Sequence, residues 1–179
     1  MKAAGGPQED MDGGFKYGGW VVPHFDEQLG QIMHEQMTKP LDLLLGRRTY
    51  EIFASYWPTH ESEWPGINSA TKYVVSATRT DSLWDNTVFI KDNAVEEIRR
   101  LKRQDGPDLQ VHGSSQLLQT LFKHDLVDEL WVKIAIPLVA RRLLLYRAAM
   151  HRRVLGGRDI LAFGRTVADG FDGLLLRGL

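Results

Sequence analysis

The sequence predicts an α/β fold, a mixed and mostly parallel sheet flanked by helices, and three observations carry that expectation. Apolar or β-branched runs ending at Leu43-Leu44-Leu45, Lys72-Tyr73-Val74-Val75 and Leu109-Gln110-Val111 read as strands. The first and third pass through Gly46 and Gly113 into residues at helical spacing. All three end in small, hydroxyl-bearing or cationic residues. Strands alternating with helices favour a parallel sheet, and such sheets bind ligands at the carboxyl ends of their strands.

Taken in order, Gly13 to Pro23 is rich in glycine and aromatics, too flexible for a strand and too apolar for a plain tail. Phe25 to Met37 has helical spacing, with Asp26 placed to cap the N-terminus, Glu27 in the first turn and Pro40 beyond the end. Leu43 to Leu45 forms a strand that stops at Gly46, and Arg47-Arg48-Thr49 opens the next helix. Ala94 to Lys102 is amphipathic, with Glu96 and Arg100 at i,i+4, and Gln104-Asp105-Gly106-Pro107 terminates it. Leu117, Leu118, Leu121 and Phe122 then mark a helix starting at Ser114 or Ser115, either of which suits an N-cap.

Two of these junctions have the chemistry of anion sites. The first-turn N–H groups of a helix have no intrahelical partner and point outward, and a preceding glycine lets a ligand approach the backbone. Gly46, Arg47, Arg48 and Thr49 form one such junction; Gly113, Ser114, Ser115 and Gln116 form the other. Neither is a G-x-G-x-x-G fingerprint.

The order LLLGRRTYEIF, KYVVSAT and LQVHGSSQLLQTLFKHDLVDELWV resembles the dihydrofolate reductase-like fold, and within it the bacterial deaminase-reductase family that includes the reductase domain of riboflavin biosynthesis. The resemblance covers roughly Gly5 to Lys133. It implies an NADPH-dependent reductase similar to dihydrofolate reductase and to 5-amino-6-(5-phosphoribosylamino)uracil reductase, transferring hydride to a pterin or pyrimidine-type heterocycle. Carried over by motif, Gly46, Arg47, Arg48 and Thr49 would hold the adenosine-side phosphates, Ser76, Thr78 and Arg79 would lie near the 2′-phosphate, and Gly113, Ser114, Ser115 and Gln116 would sit under the pyrophosphate. The Gly13–Pro23 loop resembles the one closing over the nicotinamide. Trp20, with Phe53, Tyr56 and Trp57, would then offer an aromatic wall to a flat substrate. Asp26 and Glu27 are the carboxylates nearest that loop in sequence, but capping explains Asp26 equally well, so no catalytic acid is assigned. The resemblance also suggests a homodimer.

Composition is that of a globular protein: 43% hydrophobic and 25% charged residues in 179 suit one ordinary core. No run reaches the roughly 18 apolar residues of a membrane span, and no leader pattern opens the chain, so a cytoplasmic protein without membrane partners is expected. With no cysteine there is neither a disulfide nor a thiolate metal site, and His24, His34, His60, His112, His124 and His151 form no HxxxH or HExxH pair, so no metal is expected. His112, next to the second anion junction, is the histidine expected near a ligand.

Two departures from the family stand out. Its members begin with a hydrophobic strand that is missing here, which leaves a gap in the middle of the sheet unless another segment fills it. Beyond residues 1–133, the reductase-like domain, residues 134–179 form an atypical arginine-rich segment, either part of the same domain or poorly ordered. The first part carries 14 Lys and Arg against 20 Asp and Glu; the second carries 8 Arg against 3 Asp and lacks Lys, Glu, Ser, Asn, Gln and Trp. Pro137 to Leu155 has strong helix formers followed by Gly156-Gly157, whereas Ile160 to Phe163 and Leu174 to Leu176 suit short strands that could patch the sheet or bury themselves against a second copy of the chain. The arginines are spread around the expected helix with leucines between them, and the overall pI is near 6.6, so nucleic-acid binding is not expected. The alternative to a reductase is a non-catalytic remnant or nucleotide-binding module of the same fold.

Overall fold

The computed structural model describes residues 5–11, 14, 16–134, 143–149, 161–166 and 169–176, from residue 132 onward through the backbone alone. In chain order the elements are α1 (Glu27–Met37), β1 (Leu41–Gly46), α2 (Arg47–Tyr56), β2 (Lys72–Val75), β3 (Thr87–Ile90), α3 (Ala94–Lys102), β4 (Asp108–His112), α4 (Ser115–Lys123), β5 (Glu129–Ile134), β6 (Leu143–Ala149), β7 (Leu161–Thr166) and β8 (Asp169–Leu176). The strands make one sheet in the order β3-β2-β1-β4-β8-β5-β6-β7. Strands β1 to β4 are parallel, with β1 between β2 and β4, and β8, β5, β6 and β7 pair antiparallel to their neighbours. The α/β class and the flanked parallel sheet are those expected.

β1 organises the core because its leucine run is buried on both faces. Leu43, Leu44 and Leu45 are each fully buried, as in a central parallel strand. Leu44 joins Ile98, Leu101, Leu109, Val111, Leu117 and Leu121 on one side, where α3 and α4 pack. Leu43 and Leu45 join Tyr50, Phe53, Trp64, Ile67 and Trp84 on the other, under α2 and the segment that follows it. Asp26 caps α1 as expected, its Oδ1 accepting the Leu29 N–H at 2.8 Å.

Several local expectations change. β3 is a strand that periodicity did not announce: four residues, of which only Ile90 is buried, too short for a clear alternation and reached from β2 through a loop, not a helix. On α3 the ion pairs are Glu96–Arg99 and Glu97–Arg100, at i,i+3 instead of i,i+4. The helix expected over 137–155 is not formed at residues 143–149, which are β6 paired along the edge of β5; its remaining residues lie outside those described. Leucine, arginine and alanine favour helix in isolation, but an open strand edge overrides that weak preference. The strands expected near 160–163 and 174–176 are present as β7 and β8. β8 fills the expected gap: Leu109 to His112 of β4 pair with Leu176 to Gly173, whose other edge pairs with β5.

At the amino end of β2, away from the strand ends that bear the anion junctions, Lys72 is fully buried. Its Nζ donates to Asn68 O at 2.8 Å and lies 4.2 Å from the Trp84 ring centre. Burial pushes this ammonium down to about 8, against the opposing pull of Asp85, Asp42 and Glu61. The folded chain therefore binds fewer protons than the unfolded chain between pH 8 and the usual 10.5, so stability rises with pH across that window. Between pH 7.5 and 9.5 the wild type is expected to gain about 2 kcal/mol relative to Lys72→Met in urea unfolding. Parallel pH profiles for the two proteins would refute this.

Candidate functional site

The carboxyl ends of β1, β2 and β4 open into one cavity of about 640 Å³. Its wall includes Gly46, Arg47, Arg48, Thr49, Phe53, Ser76, Thr78, His112, Gly113, Ser114, Ser115 and Gln116. Residues from sequence positions 46 to 116 thus converge on one space because three parallel strands end side by side. Arg79, Trp20 and Trp57 are not among the residues lining it.

The two glycine junctions are latched to each other. Ser114 Oγ accepts the Gly46 N–H at 2.8 Å and donates within reach of Thr49 Oγ1 and His112 O, both at 3.1 Å. The Ser114 N–H also donates to Thr49 Oγ1 at 3.1 Å. Ser114 is the N-cap residue of α4, yet its side chain makes no capping bond, and α2 likewise has none from Gly46. The Ser114 hydroxyl therefore positions the loops, and the backbone N–H groups at the two helix starts remain the donors for an anion. Close approach is built in at Gly113: its φ is +56°, and a Cβ there would lie 3.3 Å from Thr49 Oγ1. This uncapped cradle, together with the hydroxyls of Thr49 and Ser115, fits the phosphates of a dinucleotide.

At the end of β2, Ser76 is buried and its Oγ accepts the N–H groups of Thr78 at 3.4 Å and Arg79 at 2.9 Å, so it shapes the turn. The arginines are held by carboxylates. Arg47 Nη1 contacts both Glu51 oxygens at 3.0 and 3.1 Å. Arg79 Nη1 reaches Glu51 Oε1 at 2.7 Å, and its Nη2 reaches Asp81 Oδ2 at 3.0 Å. Arg48 Nη2 pairs with Asp10 Oδ1 at 2.9 Å. Arg79, expected near a phosphate, thus ties the β2–β3 loop to α2.

The aromatic wall differs from the expected one. Phe53 lines the cavity and is 9% exposed, while Trp57 and Trp64 stand edge-on to it at 6.1 and 6.5 Å. The His112 ring, also on the wall, lies 5.1 Å from Trp64 and 6.0 Å from Phe53, with Nε2 3.2 Å from Gln110 Oε1. Trp64 packs behind Phe53 and His112 and is not itself among the lining residues; a lone tryptophan in a Glu/Pro/Gly loop has no periodic signal to announce that role. Glu9 and Asp10, which do line the cavity, carry no sequence signal because they precede the recognisable motifs. Asp26 and Glu27 are not among the lining residues. Among the described residues no helix is long and apolar enough to cross a membrane.

Residues 2–139 match the family model described as the RibD C-terminal domain. The chain belongs to this family. A further similarity is to the uncharacterized protein YyaP of Bacillus subtilis (strain 168), 32% identical over 98 residues, which cover 51% of this chain and 52% of that protein. The match thus spans about half the length of the curated relative. The RibD C-terminal domain family is one of reductase domains with the dihydrofolate reductase-like fold, which agrees with the parallel sheet and flanking helices described above.

Proposed function

We propose that the chain is a reductase domain that binds NADPH across the two glycine junctions and delivers hydride to a pterin or pyrimidine-type heterocycle. The observation that carries this reading is the convergence of two uncapped helix starts and the Ser76–Thr78 turn on a single cavity. Family members are NADPH-dependent reductases. The dihydronicotinamide, when bound, supplies the hydride.

The chain's own groups bind and orient. N–H groups at Arg47, Arg48, Ser115 and Gln116 would face the phosphates, with Arg47 and Arg48 adding charge at the rim. Phe53 and His112 would flank the ring end, where a flat heterocycle finds an aromatic face and an imidazole edge. The alternative, a nucleotide-binding module without turnover, draws on the commitment of the Asp26 carboxylate to capping α1. A cytoplasmic homodimer without nucleic-acid or membrane partners goes with the reductase reading.

Calorimetry with NADPH tests it. Micromolar binding is expected, weakened about tenfold or more in Arg47→Ala and in Ser114→Ala, since each loses one charge-assisted or latching contact. Wild-type protein that is folded and does not bind NADPH would overturn the proposal; binding without turnover on any heterocycle would favour the alternative.

A further inference from the structure

The segment Gly5–Met11 contributes Glu9 and Asp10 to the cavity wall, and the reductase reading gives it no task. Glu9 Oε2 accepts the N–H groups of Gly5 at 2.7 Å and Gly6 at 3.1 Å, which rolls the segment into a turn. Pro7 rests on Gly18 so closely that a Cβ there would come within 2.2 Å of Pro7 O. Seated in this way, the segment brings Asp10 to the cavity wall, where its carboxylate holds Arg48. The Asp10 side chain is 14% exposed and that of Arg48 51%, so the carboxylate is on the sheltered side of the pair. A carboxylate and a phosphate compete for the same guanidinium N–H groups, and a nearby negative charge repels a more highly charged ligand more strongly.

We propose that Asp10 is a specificity-determining residue at the Arg48 side of the cavity, an internal anion that a ligand phosphate has to displace. The nature of the ligand rests on the dinucleotide reading above; the competition for Arg48 does not. Asp10 therefore acts against the dinucleotide with the extra phosphate more than against the one without it.

The test is calorimetry of wild type, Asp10→Asn, Arg48→Ala and the double variant with NADPH, NADH and inorganic pyrophosphate. Asp10→Asn is expected to tighten NADPH roughly two- to fivefold, the range of a partly exposed ion pair, and NADH less. The gain is expected to vanish when Arg48 is alanine. An unchanged or weaker NADPH affinity, an equal gain for NADH, or a gain that persists without Arg48 overturns the proposal while leaving dinucleotide binding in place. If no variant binds either dinucleotide but Asp10→Asn tightens pyrophosphate through Arg48, the competition stands and the dinucleotide reading falls. Absence of binding to all three probes overturns both.

Discussion

Gly113→Val is expected to weaken NADPH binding roughly a hundredfold, equivalent to about 3 kcal/mol, while the protein still folds. Gly113 has φ +56°, where a β-branched residue is strained by about 1–3 kcal/mol. The new Cβ would start 3.3 Å from Thr49 Oγ1, and its methyl groups would extend further into the crowded junction. The Ser114–Thr49 hydrogen bonds that latch the two loops would open, and the cradle would lose its shape. Calorimetry and a thermal melt separate the effects: the melting temperature is expected to fall by several degrees, as a loss of 1–3 kcal/mol implies for a domain of this size. Gly113→Ala shares the backbone strain without the added methyls, so its binding defect should be smaller. If the valine variant bound like wild type, the phosphates would have to bind elsewhere.

Removing residues 169–179 is expected to abolish cooperative folding. β8 pairs with β4 through Leu174 to Leu176 and Gly173, and with β5 along nearly its whole length. Without it, two strand edges face each other across the middle of the sheet. Each buried N–H or C=O left unpaired costs about 1–3 kcal/mol, and several on each edge exceed the 5–15 kcal/mol that a domain has in reserve. The exposed edges would also template aggregation. Leu174→Pro tests the same point within the full-length chain, since proline breaks a ladder bond in a central strand. Far-UV circular dichroism with a thermal melt checks both variants. A cooperative melt from the truncated chain would show that the sheet closes without β8.

Both predictions depend on features that the sequence exposes to different degrees. Gly113 was legible: a strand, a glycine, hydroxyls and a helical repeat lie within fourteen consecutive residues. The same holds for Gly46 and for Asp26, whose cap acts on a residue three positions ahead. The role of Ser114 was half legible. Its position at a helix start is local, but its hydroxyl turns to Gly46 and Thr49, 68 and 65 residues away, and no local pattern encodes that direction. Arg79 and Asp10 follow the same logic. Arg79 meets Glu51 of a neighbouring helix across 28 residues and Asp10 meets Arg48 across 38, separations that no local pattern spans.

By itself the sequence determined the α/β class, the order of elements from α1 to α4 apart from β3, and the two glycine junctions, because each depends on groups a few residues apart acting through burial, capping and backbone freedom. Only the tertiary structure decided that β8 lies between β4 and β5, that Leu143 to Ala149 are strand and not helix, and which carboxylate holds each arginine. Those outcomes are set by hydrogen-bond edges and charges brought together from distant segments, where local propensities of a few tenths of a kcal/mol give way to pairing and burial.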